Sequence, residues 1–123
     1  MVKLLLIGLA GFIGTVGRYW MSGVVARRGE TFPFGTLVVN LVGCFLVGLL
    51  FYLLQERFLV NPTVRTVVMI GLLGGFTTFS SFGLQTFTLL QEGEYALAAL
   101  NVTASNLGGV LLVWVGHTLA KAL

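Results

Sequence analysis

Gly71-Leu-Leu-Gly-Gly-Phe-Thr-Thr-Phe-Ser-Ser-Phe-Gly83 lies inside a long apolar segment and does not read as an ordinary membrane helix. The adjacent glycines Gly74 and Gly75 weaken a helix because glycine loses the most backbone freedom on ordering. The hydroxyls of Thr77, Thr78, Ser80 and Ser81 offer the backbone non-helical hydrogen-bond partners. A helix that stops here leaves bare carbonyls at the end of its first half and bare amides at the start of its second. Hydrocarbon satisfies neither, so such a stop is tolerated only where it faces protein, water or bound ions. The stretch predicts a span broken at mid-membrane, with residues 74–81 as a candidate ion site.

Working outward, the 123-residue chain is 57% hydrophobic and only 9% charged, with a mean hydropathy of +1.01, which excludes an ordinary soluble domain. Apolar runs fall near residues 4–26, 34–58, 63–91 and 95–119. Each matches the roughly 20 residues that a helix needs to cross the hydrocarbon. The expected fold is therefore an all-α integral membrane protein with four transmembrane helices, the third broken, in a single domain over residues 1–123. The first run continues through Trp20 and Met21 to Arg27-Arg28 without a small-residue cleavage site, so it reads as a retained span and not a signal peptide. Cys44, the only cysteine, sits within the second span and can form no intrachain disulfide.

The net charge of +3 does not indicate nucleic-acid binding, because the basic residues are scattered singly among the spans. With four spans, Lys3, Arg57, Arg65 and Lys121 share one side, while Arg27, Arg28 and Arg18 fall on the other. Such a small imbalance gives weak orientation signals, so insertion both ways up is expected.

In span 1, Gly8, Gly11, Gly14 and Gly17 recur every third residue and let another helix approach closely. Arg18 lies deeper than a loop charge should. It either snorkels or bonds to exposed carbonyls, or it draws anions toward a pore mouth, and this makes it a candidate vestibule residue. In span 2, Thr36, Asn40, Gly43 and Val47 follow i, i+4, i+7, i+11, placing Asn40 on a stripe of small residues as interhelical glue or as a pathway group. Asn61-Pro62 supplies an N-cap and a first-turn proline for span 3. Beyond the predicted break, Thr78, Ser81, Gln85 and Thr88 make one polar face, with Phe79 and Phe82 beside it. Span 4 carries Asn101, Ser105 and Gly108 on a narrow stripe, and His117 near its far end reads as an interfacial residue.

Nothing here supports catalysis. There is no Asp, the four Glu stand at span ends or in loops, and the lone His has no visible partner. The lack of a mid-span carboxylate also argues against a proton-coupled exporter of small cationic compounds and for passive conduction. A non-transporting packing subunit is the other alternative. Four short helices with one polar stripe each enclose little of a pore, so the conducting unit is expected to be an antiparallel pair. Carbonyl ends of the broken helix suit a cation, and the amide ends beside Thr78 and Ser81 suit an anion. The edges of Phe79 and Phe82 carry positive quadrupole and suit an anion too, although the same spacing fits core phenylalanines.

Gly35-Thr-Leu-Val-Val-Asn40-Leu-Val-Gly43, taken with Gly74-Gly-Phe-Thr-Thr-Phe-Ser-Ser-Phe82, strongly resembles the small fluoride channels of the Fluc (CrcB) family, and the likeness extends over all four spans. The resemblance implies passive, fluoride-selective export through a multi-pass protein of the plasma or inner membrane, built as a dual-topology antiparallel homodimer with two fluoride pathways. It assigns Phe79, Phe82, Asn40, Ser81, Gln85 and Ser105 to the anion pathway, and Thr36 joins them from the stripe of span 2. It also assigns the backbone carbonyls of Gly74 and Thr77 to a structural sodium ion at the dimer centre. Two positions depart from the pattern: Gln85 stands where many relatives have Glu, and Asn101 where a tyrosine can occur.

Overall fold

The computed structural model describes residues 1–123 and is wholly helical. Helix α1 is Val2–Val25, and α2 is Phe34–Phe51, running on into a wider π-type turn at Tyr52–Arg57. Helix α3, residues 62–76, starts at Pro62, widens over Val67–Leu73 and ends in the turn Gly74–Phe76. Two extended residues, Thr77 (φ −85°, ψ 158°) and Thr78 (φ −148°, ψ 114°), separate it from α4, Phe79–Gln91. Helix α5 is Tyr95–Ala122. By length and composition four segments can cross a membrane: Val2–Val25, Phe34–Arg57, Pro62–Gln91 and Tyr95–Ala122.

Local chemistry sets the ends. Asn61 caps α3 by accepting a 2.7 Å bond from the Thr63 amide, with Pro62 in the first position. Pro33 stands one residue earlier than its expected place, at the cap of α2 and not within its first turn. At the end of α4, Gly93 takes φ +78°. Its amide reaches the Leu90 carbonyl (3.1 Å) and the Glu94 amide reaches the Leu89 carbonyl (2.8 Å), so the chain reverses at once into α5.

Only 15 of 123 residues are buried, so this chain hides little of itself. Its outer faces carry Leu5, Leu9, Phe12, Ile13, Leu107 and Val110, side chains suited to hydrocarbon. The internal contacts are mostly close backbone approaches. α1 packs on α3 and α2 packs on α5. A Cβ at Gly14 would collide with the Leu72 carbonyl, and one at Gly75 would lie 2.5 Å from the Gly11 carbonyl. Gly17 sits against the Phe76 ring, but a Cβ at Gly8 would touch nothing, so the glycine stripe serves this contact through three of its four members. Between α2 and α5 the corresponding positions are Gly48, against the Val113 carbonyl, and Gly116, against that of Phe45.

Candidate functional site

The site is built where α2 meets the junction of α3 and α4. Asn40 uses its side-chain amide as a peptide would: Nδ2 donates to the Thr78 carbonyl (2.9 Å) and Oδ1 accepts from the Thr78 amide (2.8 Å). One helical turn along, Gly43 leaves the space that the Thr77 methyl occupies. Asn40 and Gly43, three apart on one face of α2, thus receive consecutive residues of the junction. Thr78 also caps α4, its Oγ1 accepting from the Ser81 amide (3.2 Å) while its hydroxyl donates to Ser81 Oγ (3.0 Å).

Backbone accounting then locates the bare groups. The Thr77 amide still bonds to the Leu73 carbonyl (3.0 Å), as in a helix. The Thr78 amide does not return to Gly74, because Asn40 holds it. The Ser81 amide does not return to Thr77, because the Thr78 hydroxyl holds it. The Gly74 carbonyl therefore lacks its helical donor, and the Thr77 carbonyl accepts no hydrogen bond. The Gly75 carbonyl keeps a long bond from Thr15 Oγ1 of α1, 3.4 Å. Gly74 and Thr77 are the positions expected to offer oxygens to a cation, and the neutral, unpartnered oxygens there fit a hard monovalent ion. No group of three His, Cys, Asp or Glu side chains converges elsewhere.

The glycine pair behaves otherwise than expected. Gly74 is helical (φ −63°, ψ −36°), and Gly75 serves the close contact with α1. The helical geometry is lost three residues later, at the threonines, where another helix supplies replacement partners.

Two cavities share Thr78. One, about 280 Å³, is lined by Asn40, Phe79, Phe82 and Ser105, together with Cys44 and Thr77. The Phe79 and Phe82 rings lie 5.6 Å apart at 44°, and Phe79 is 82% exposed on the single chain. Ser105 Oγ is buried without a hydrogen-bond partner. The other cavity, about 320 Å³, is lined by Arg18, Thr36, Ser81, Gln85, Thr15 and Ser22. Arg18 makes no ion pair, and Gln85 Oε1 is buried and unpartnered. Every expected pathway residue thus lines one of the two cavities: Asn40, Phe79, Phe82 and Ser105 the first, and Thr36, Ser81, Gln85 and Arg18 the second.

Asn101 is not on either wall. It is 2% exposed and donates to Thr86 Oγ1 (2.9 Å), whose hydroxyl in turn donates to the Phe82 carbonyl (2.8 Å). Sequence reasoning missed Thr86, since a threonine on a polar helix gives no signal of its partner. It also left His117 without a partner. The fold supplies one, with Nε2 3.3 Å from Glu56 Oε1 and the ring edge-on to Tyr52. Those residues are 61 positions apart, beyond the reach of any local pattern.

Comparison with known proteins identifies the family. The sequence model of the CrcB-like protein family, Camphor Resistance (CrcB), matches residues 5–117. A protein of Opitutus terrae named fluoride-specific ion channel FluC is 51% identical, over 97% of this chain and 92% of its own length. Proteins of the same name from Magnetococcus marinus (45%, over 95% and 96%) and Citrifermentans bemidjiense (42%, over the full length of both) are similar throughout. With four spans able to cross a membrane and a match over nearly its whole length, this chain belongs to the CrcB-like family of multi-pass membrane proteins.

Proposed function

We propose that the protein is a fluoride-selective channel that lets fluoride leave the cytoplasm passively. The carrying observation is the cavity where the unpartnered Ser105 hydroxyl, Asn40 and the Phe79–Phe82 pair meet. Fluoride is small and strongly hydrated, so a pathway must replace its water with closely placed donors. The amide of Asn40 has two N–H groups and spends one on Thr78, leaving the other. The Ser105 hydroxyl, the first free amides of α4 and the positive ring edges add to it. Chloride is larger and gains less from donors set so close. Arg18, without a carboxylate partner, makes the neighbouring cavity electropositive and concentrates anions at its mouth.

The working unit in this reading is an antiparallel homodimer in which α3 and α4 are two halves of one span interrupted at mid-membrane. Support comes from the exposed Phe79, from the near balance of basic residues between the two sides, and from the small fraction of each chain that is buried. The Gly74 and Thr77 carbonyls from both subunits would hold a sodium ion at the centre, where a bound cation neutralises carbonyl dipoles that otherwise repel one another. The deciding experiment is ion efflux from liposomes carrying the purified protein. Rapid fluoride release with chloride retained is expected; equal release of both, or none of either, overturns the reading.

A further inference from the structure

We infer that Asn40 is a positioning residue for the cation site, in addition to any contact with the anion, and that this α2 side chain is what keeps α3 from running on into α4. The inference rests on the proposed reading of Gly74 and Thr77 as cation ligands.

The reasoning starts from what residue 78 would do unassisted. A helix extended one residue past Thr77 sends the Thr78 amide to the Gly74 carbonyl, and extended five residues past it sends the Phe82 amide to the Thr78 carbonyl. Both groups of Thr78 are instead taken by one side chain, at 2.8 and 2.9 Å. Neither helical bond of Thr78 forms. A primary amide presents a donor and an acceptor on the same edge without needing to gain a proton, so it can meet the N–H and C=O of one extended residue together. Asn40 therefore relieves the junction of its desolvation cost and, in the same act, strips the Gly74 carbonyl of its donor. The oxygen offered to the cation exists because Asn40 has drawn its partner away. Gly43 completes the arrangement, since any larger side chain there would displace Thr77, whose carbonyl is the other free oxygen. The anion cavity and the cation carbonyls are thus joined through one residue of α2.

The test uses the purified full-length dimer, titrated with sodium against N-methylglucamine, with the sodium concentration for half-retention of the dimer as one readout. The Thr78 Cα chemical shift is the other. Asn40→Leu removes both bonds and is expected to raise the sodium midpoint tenfold or more and to move the Thr78 shift toward helical values. Asn40→Asp should recover the wild-type midpoint only on acidification, because a protonated carboxyl restores a donor beside an acceptor whereas a carboxylate faces the Thr78 carbonyl with like charge. Phe82→Ile, which changes a wall of the anion cavity but neither hydrogen bond of Asn40, should leave the Thr78 shift in place and the midpoint nearer to wild type than that of Asn40→Leu. An Asn40→Leu dimer with the wild-type midpoint and an extended Thr78 overturns the inference and leaves Asn40 as a pathway group only. If Asn40→Leu gives no dimer, Asn40→Asp decides: recovery at acid pH upholds the inference, and a pH-independent midpoint overturns it. A wild-type dimer indifferent to sodium sinks the cation reading itself; the Thr78 shift then decides the clamp alone, upheld if it moves in Asn40→Leu and overturned if it does not.

Discussion

The two cavities that meet at Thr78 are similar in volume and opposite in character. The one beside Phe79 and Phe82 has no charged residue in its wall and includes Val47 and Val113, whereas the one beside α1 holds Arg18 among hydroxyls and Gln85. A full charge attracts any anion, and it does so over distance; ring edges and a lone hydroxyl act only on an ion that has already shed water. In the proposed channel, the contrast would give capture to the charged side and discrimination to the aromatic side. On the same reading, Arg18 lies outside the aromatic cavity, where a full charge would hold chloride as readily as fluoride.

Breaking the aromatic side should have the largest effect. Phe79→Ile and Phe82→Ile each remove a ring edge and are expected to lower fluoride efflux from liposomes by more than about tenfold, which is about 1.4 kcal/mol or more of barrier. Normal efflux from both variants would abolish the distinction between the cavities. Ser105→Ala comes next. Its hydroxyl has no partner to lose, so stability should hold, while efflux falls by roughly two- to tenfold, the weight of about one neutral hydrogen bond of 0.5–1.5 kcal/mol. A melting temperature that falls along with flux would mean that the hydroxyl is structural.

On the charged side, Arg18→Gln should reduce efflux a few-fold at low ionic strength and by less at high salt, since exposed charge is screened within about 8 Å at physiological ionic strength. A salt-independent loss would place Arg18 in the narrow path itself. The smallest effect on efflux is expected from Thr86→Val, which lies off both walls. It strands the buried Asn101 amide and should cost about 1–3 kcal/mol of stability in thermal unfolding, with fluoride still preferred over chloride.

How much of this was legible beforehand differs by residue. Four apolar runs gave four membrane-crossing segments, because hydrophobicity over about 20 residues is a local property. The Asn61-Pro62 start of α3 was equally readable, its cap being complete within three residues. The junction was found to within a few residues but for an incomplete reason. Glycine flexibility pointed to Gly74 and Gly75, yet both serve the helix and its contact with α1, and the extended residues are the two threonines, of which Thr78 finds its replacement partner 38 positions away on α2. The Glu56–His117 pair and the Asn101–Thr86–Phe82 chain were illegible for the same reason: a hydrogen bond across 61 or 15 residues leaves no period in the sequence.

The pairing of Asn40 with Thr78, and of Gly43 with Thr77, also fixes where the chain tolerates a change of length. One inserted residue in α2 between these positions, or in α3 just before the threonines, turns the following residues by about 100° and carries them off their counterparts, much as a key cut one notch out fails its lock. The segment joining the two helices, residues 58–61, is not so bound: Leu59 already adopts φ +46° and is exposed. Added residues there should be absorbed as slack, so variation in length among functional versions of this chain belongs in that loop.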